Sequence, residues 1–127
     1  MSDFLSSLTH STGGLKAQAT RLRHISENIA NADTPGYRRK TVPFSPDDTT
    51  LGIVKTGTVR LDQTTLEKVY DPTHPMADDA GYFDGSNVNL LIEITDAREA
   101  QRSYEANLKM FDQARQMSAS LLELLRR

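Results

Sequence analysis

Residues 28–40 read Asn28-Ile29-Ala30-Asn31-Ala32-Asp33-Thr34-Pro35-Gly36-Tyr37-Arg38-Arg39-Lys40, and the punctuation inside this stretch decides how the chain folds. Thr34-Pro35-Gly36-Tyr37 has the residue order of a type II turn. Proline presets φ at the second position, and glycine supplies the positive φ that the third requires. Proline also disfavours helical geometry at Thr34, so a helix arriving from the N-terminal side must stop by Ala32 or Asp33. Asn31 suits that exit, because asparagine tolerates left-handed backbone. The stretch predicts a helix stop, a tight turn and a cationic exit at Arg38-Arg39-Lys40.

Working outward, residues 4–32 carry a helical stripe. Leu8, Leu15, Leu22 and Ile29 recur every seven residues. A second row holds Phe4, Ile25 and Ala32 but is interrupted by Ser11 and Gln18. A helix of this length spans about 44 Å. Gly13-Gly14 is its weak point, where a kink, a close helix contact or fraying before Leu15 is expected. At the other end of the chain, Leu90, Ile94, Ala97, Tyr104, Leu108, Phe111, Leu122 and Leu125 advance in steps of three, four or seven, with one step of eleven. Gln101, Arg115 and Ser118 break that seam. Neither proline nor glycine follows Gly85, so residues 87–127 read as one helix of about 60 Å, capped by Ser86 or Asn87, with Arg126-Arg127 at its negative end.

Between these helices the period changes. Leu51 to Leu61 (LGIVKTGTVRL) suits a bent or bulged strand, and Leu66 to Asp71 (LEKVYD) a second one. The following DPTHPMADDAGYFDG is too rich in proline, glycine and aspartate for regular structure. The fold class is α+β, mainly α. Long N- and C-terminal helices (1–33 and 87–127) pair as a coiled-coil-like bundle, and residues 34–86 form a turn, a small β-leaning insert and an irregular linker.

Composition narrows the function. The 127 residues are 37% hydrophobic, a small share for a self-sufficient core, and no apolar run is long enough for a membrane-spanning helix. The N-terminus MSDFLSSL lacks the pattern of a cleavable signal peptide. Cysteine is absent, which excludes disulfides and thiolate chemistry. Net charge is −2, but residues 1–40 carry +3 and residues 41–86 carry −5. A cationic end beside an acidic middle suits head-to-tail contacts between subunits; the plainer alternative is an uneven solvated surface.

Chemistry-bearing clusters are few. Asp71, His74, Asp78 and Asp79 have metal-ligand side chains, but their spacing matches no zinc, calcium or facial-triad pattern, and a structural loop serves equally well. His10 and His24 read as surface or packing residues. No nucleophile elbow or phosphate loop occurs, so no catalytic residue, metal site or cofactor is assigned. Arg38-Arg39-Lys40 is too short for a nucleic-acid footprint, and it reads as a solvated turn exit or the partner of a neighbour's acidic middle. No small-molecule substrate is indicated. Two helices alone leave much of each stripe exposed, which favours a larger bundle over a self-contained hairpin.

Three stretches carry a family resemblance. Residues 28–40 resemble the signature that follows the N-terminal helix of bacterial flagellar rod and hook proteins. Val69 to Leu90 is similar to the linker of the proximal-rod class, whose DPxHPxAxxxGY pattern is filled by Asp71, Pro72, His74, Pro75, Ala77, Gly81 and Tyr82. Ala97 to Met117 resembles the C-terminal helix of that class, with Arg102, Tyr104, Ala106 and Asn107 in order. The resemblance implies a non-enzymatic building block of the flagellar basal body. Its implied partners are copies of itself, other rod proteins, the membrane-ring adaptor and, in transit, the flagellar type III export apparatus; its implied place is the periplasmic rod. The residues expected to carry this are a first assembly seam at Leu8, Leu15, Leu22, Ile25 and Ile29, and a second at Ile94, Ala97, Tyr104, Leu108, Phe111, Leu122 and Leu125. The signature turn (Asn28, Asn31, Thr34, Pro35, Gly36, Tyr37) and the linker motif (Asp71, Pro72, His74, Pro75, Gly81, Tyr82) connect them. A soluble helical adaptor or chaperone, and a metal enzyme built on the Asp71–Asp79 cluster, are the competing readings.

Overall fold

The computed structural model describes residues 2–46 and 52–126. Helix α1 (Ser2–Ala30) and helix α2 (Leu90–Leu125) pack antiparallel along most of the length of α1. Between them lie six short strands: β1 (Lys40–Thr41), β2 (Phe44–Pro46), β3 (Val54–Thr56), β4 (Arg60–Leu61), β5 (Lys68–Tyr70) and β6 (Tyr82–Asp84). They pair as three two-stranded antiparallel ribbons. Lys40 opposes Leu61 in β1–β4, Ser45 opposes Lys55 in β2–β3, and Val69 opposes Phe83 in β5–β6. Among the described residues no helix is long and apolar enough to cross a membrane.

α1 runs unbroken through Gly13-Gly14, which mark close approaches. A Cβ on Gly14 would lie 2.5 Å from Asn107 Oδ1 on α2, and one on Gly13 would lie 2.9 Å from Ile53 beside β3. The absent side chains let α2 and the insert approach the same helical turn from two sides.

The face of α1 that meets α2 is the interrupted row. Ser11 and Ile25 are buried and Gln18 half-buried, whereas Leu8, Leu15 and Leu22 are only half-buried and Ile29 is exposed. Small and polar side chains sit on this face because the helix axes are close, which leaves no room for rows of leucine. α2 answers in kind, with Glu93, Ala100 and Ala114 buried.

Several boundaries differ from expectation. α2 begins at Leu90, and its N-cap is Asn89, whose side chain accepts from the Leu91 amide at 3.0 Å. Ser86 and Asn87 are engaged elsewhere, as described below. The Leu51–Leu61 strand is two short strands, broken where the Gly57 amide turns to the Pro43 carbonyl at 2.9 Å; Leu51 lies outside the described residues. The linker holds regular structure after all, since β6 returns along β5 to close a hairpin.

Candidate functional site at the helix joint

Asn28 is fully buried in the last full turn of α1, where an unpartnered carboxamide is costly. Every polar valence it has is used. Its Oδ1 accepts from the Tyr37 hydroxyl at 2.9 Å and the Lys40 amide at 2.8 Å. Its Nδ2 donates to the Lys40 carbonyl at 3.0 Å and to Glu93 Oε2 at 3.3 Å. The paired bonds to Lys40 treat the start of β1 as a ladder partner, so one side chain ties α1, the turn, β1 and α2 together.

The turn between them has type II geometry. Gly36 adopts φ +73°, and the Tyr37 amide donates to the Thr34 carbonyl at 3.2 Å. Gly36 NH is bifurcated to the Asp84 and Gly85 carbonyls, both at 3.1 Å, which docks the turn on the end of β6. Asn31 takes no left-handed geometry, contrary to expectation. Its Nδ2 instead donates back to the Glu27 carbonyl at 2.8 Å, and its Oδ1 receives the Thr34 hydroxyl at 3.1 Å, so the side chain itself closes the helix end.

The cationic exit is consumed inside the molecule, which overturns its reading as a solvated exit or a neighbour's partner. Arg39 Nε donates to the buried Glu93 Oε1 at 2.6 Å, and its terminal nitrogens lie 3.4 Å from Asp96 and 3.7 Å from Asp62. Burial lowers the tendency of Arg39 to hold its proton, but the hydrogen bond and charge of Glu93, with Asp96 and Asp62, outweigh it, and the net shift is upward. Arg38 donates to the Asp62 and Thr64 carbonyls at 3.2 and 3.0 Å. Lys40 Nζ reaches Glu27 Oε2 at 2.7 Å; this bond holds the Glu27 carboxyl below its ordinary value and raises Lys40. Asn87 completes the joint by accepting from the Arg39 amide at 2.7 Å and donating to the Asp62 carbonyl at 2.9 Å. Ser86 Oγ donates to the Ala32 carbonyl at the end of α1.

The linker motif forms the brace behind this joint. Asp71 Oδ1 accepts from the Thr73 amide and hydroxyl, and Asp78 Oδ1 from the Ala80 and Tyr82 amides, so both carboxylates organise turns. His74 stacks on Phe83 with ring centres 4.0 Å apart, and its Nδ1 accepts from the Met76 amide at 3.1 Å. Gly81, at φ +88°, sits where a Cβ would meet the Tyr70 ring at 2.8 Å and Pro72 at 3.0 Å. Pro72 and Pro75 flank the His74 turn, and Tyr82 packs on Tyr70 at 5.0 Å. Among the described residues no group of three or more His, Cys, Asp or Glu is placed to hold a metal ion.

The predicted seams are distributed over two surfaces. Ala97, Tyr104 and Phe111 are half-buried, while Ile94, Leu108, Leu122 and Leu125 are exposed. Sequence reasoning missed Glu93, Arg39 and Asn87. A signal for Glu93 existed: residues 93, 97, 100, 104, 107, 111, 114 and 118 keep a strict four-three spacing, more regular than the leucines.

A helix pair joined through a buried polar hub has the character of an interlocking structural subunit. Residues 8–38 match the family model described as flagella basal body rod protein, and residues 79–124 match the C-terminal model of the flagellar basal body rod FlgEFG proteins. A flagellar basal-body rod protein FlgC of Agrobacterium fabrum is 48% identical over 123 residues, 89% of this chain and 88% of its own length. FlgC proteins of Borreliella burgdorferi and Salmonella typhimurium are each 34% identical, covering 94% and 87% of this chain and 96% and 89% of their own lengths. The chain belongs to the FlgC family of flagellar basal-body rod proteins and is a structural subunit of the rod.

Proposed function

We propose that this chain builds the proximal rod by sharing its terminal helices with neighbouring subunits, while residues 34–86 form a region outside that helical core. Family membership makes it a structural subunit of the flagellar basal-body rod, assembling with other rod components. In this reading the assembly seams are Leu8, Leu15, Leu22 and Ile29 on α1, with Ile25 closing the row inside the subunit, and Ile94, Ala97, Tyr104, Leu108, Phe111, Leu122 and Leu125 on α2. The neighbours are copies of itself, other rod proteins and the membrane-ring adaptor, reached in the periplasm after passage through the type III export apparatus. Together the subunits form the drive shaft and line the export channel.

One observation carries the reading, namely surface left uncovered. The chain exposes 9049 Å², whereas a compact monomer of 14.1 kDa exposes about 6,700 Å². The excess, roughly 2,300 Å², is in the range of a full protein–protein interface. Much of it is apolar, since Leu108, Met110, Met117, Leu121, Leu122, Leu124 and Leu125 all lie exposed along α2.

The test separates folding from assembly. Leu108 is 41% exposed, so Leu108→Asp should leave the circular dichroism of the free subunit unchanged while abolishing incorporation into basal bodies and motility. Normal incorporation of the folded variant would remove Leu108 from the interface and with it the proposed seam.

A further inference from the structure

The two ends of α2 are complementary. Phe4 and Ser7 share a cleft with Ala114 and Met117, so the start of α1 falls level with about residue 119 and roughly 9 Å of α2 projects beyond it. On this projection Leu121, Leu122, Leu124 and Leu125 are exposed and cover an arc of about 160°. Arg126 follows, and Arg127 after it in sequence.

At the other end of α2, about 54 Å away, the helix joint carries a groove of about 510 Å³. Its lining includes Ala32, Val88, Leu90 and Leu91 together with Asp33 and Glu67. Leu91 is 73% exposed, an apolar side chain with no cover. Asp33 and Glu67 are exposed, and among the described residues neither carboxylate makes a hydrogen bond or ion pair. The acidic groups at the centre of the joint, Glu27, Asp62, Glu93 and Asp96, are each paired with Arg39 or Lys40, so two carboxylates beside bare leucines stand out there.

We infer that this groove receives the last turn of α2 from a second copy of the chain. The leucines of the incoming turn cover Val88, Leu90 and Leu91, and Arg126 meets Asp33 and Glu67. The inference rests on the proposed assembly function and gives it a direction. Donor and acceptor surfaces differ and lie at opposite ends, so copies stacked end to end leave one of each free and extend an open series. Two antiparallel copies side by side would instead exchange tails and stop at the dimer; species larger than the dimer in sedimentation equilibrium mark the open series. Within an end-to-end series opposite charges fix the polarity, because a reversed subunit would set arginines against arginines.

The absence of cysteine makes the test direct. Thr65→Cys, in the groove, and Leu125→Cys, on the projecting turn, are oxidised separately and mixed, at concentrations where the wild-type chain self-associates in sedimentation equilibrium. The expected result is a disulfide dimer in the mixture and little in either variant alone. In parallel, Asp33→Arg with Glu67→Arg, and Arg126→Glu with Arg127→Glu, should each weaken self-association on the order of tenfold, and mixing the two reversed variants should restore it. Equal cross-linking within one variant, no cross-linking in the mixture, self-association unchanged by both reversals, or a wild-type chain that stays monomeric throughout overturns the inference. These outcomes are separable from failure of the seam: if the groove variants behave as wild type while Leu108→Asp still blocks incorporation, only the head-to-tail contact is lost.

Discussion

Glu93 has no exposed surface, and a carboxylate in that position is tolerated only while its neighbours hold it. Arg39 and Asn28 do so from two sides. Glu93→Ala strands both, and should lower unfolding free energy by about 3 kcal/mol in urea titration, at the low end for a broken buried pair because Arg39 keeps Asp96 and Asp62. Glu93→Gln, which preserves the shape, should cost less; equal losses would mean that packing, not polar pairing, holds the site. A second expectation concerns Glu27 and Lys40. The carboxyl of Glu27 lies below its ordinary 4.5 in the folded chain, so its contribution is complete above that pH and is lost as pH falls through the lower folded value. Lys40 lies above its ordinary 10.5, so its contribution is complete below 10.5 and is lost as pH rises through the raised folded value. Lys40→Gln should therefore lower the neutral plateau of the stability–pH curve while leaving its acid end in place, so that the limb below about pH 4.5 flattens. An unchanged acid limb would show that the pair does not link α1 to β1. At this scale Asn28 entered only with the family signature, its hub bonds being set by tertiary contact, whereas Gly36 was legible, because a glycine after proline that needs positive φ has a local signature. Glu93 and Arg39 were not, since a glutamate in a helix and an arginine after a turn are ordinarily solvated, and only tertiary contact distinguishes this pair.

The elements were easier to read than their contacts. Periodicity and the Pro35 stop placed both helices, because those signals are local and strong. Which face of each helix meets the other was not assigned from the sequence, since leucine rows draw attention while close-packed helices need small residues. The same effect explains the double glycine. Alanine is better than glycine in a helix interior by about 1 kcal/mol, so Gly14→Ala should stabilise α1 if local propensity decided the matter. It does not decide here: the new methyl meets the whole Asn107 carboxamide, which would have to leave its 2.9 Å bond to the Ser103 carbonyl. Overpacking of this kind costs about 1–3 kcal/mol, so a net loss of about 1 kcal/mol is expected in thermal melts. In an Asn107→Ala background the clash is gone and Gly14→Ala should turn stabilising. Retention of the loss in that background would show that the constraint lies in Ile53 or the insert instead. The β-leaning middle was legible in composition but not in pairing, because strands of two or three residues carry too little alternation to set a register.

As a whole molecule the chain is short of interior. Ala17, Ile25, Ala100 and Ala114 are the buried hydrophobic residues among those described, and three of them are alanines. A buried leucine contributes about 1.5–3 kcal/mol, and this chain keeps most of its leucines at the surface. Conformational entropy opposes folding at about 1–2 kcal/mol per residue, so two helices of 29 and 36 residues joined by so few apolar contacts depend on what covers them next. The composition already pointed this way, and the uncovered surface gives it a magnitude. Assembly and helix formation should therefore be coupled by mass action. Far-ultraviolet circular dichroism across a dilution series from about 200 to 1 µM should show helix content falling and the melting temperature dropping with concentration, as for any fold stabilised by its neighbours. Limited proteolysis of the dilute chain should cut first within residues 1–20, where α1 meets α2 through serine, glycine and a half-buried phenylalanine, and last near Asn28, where the hub closes. A melting temperature independent of concentration, with residues 1–20 protected, would mean that the two helices sustain each other alone, and the exposed leucines of α2 would then have no part in holding the fold.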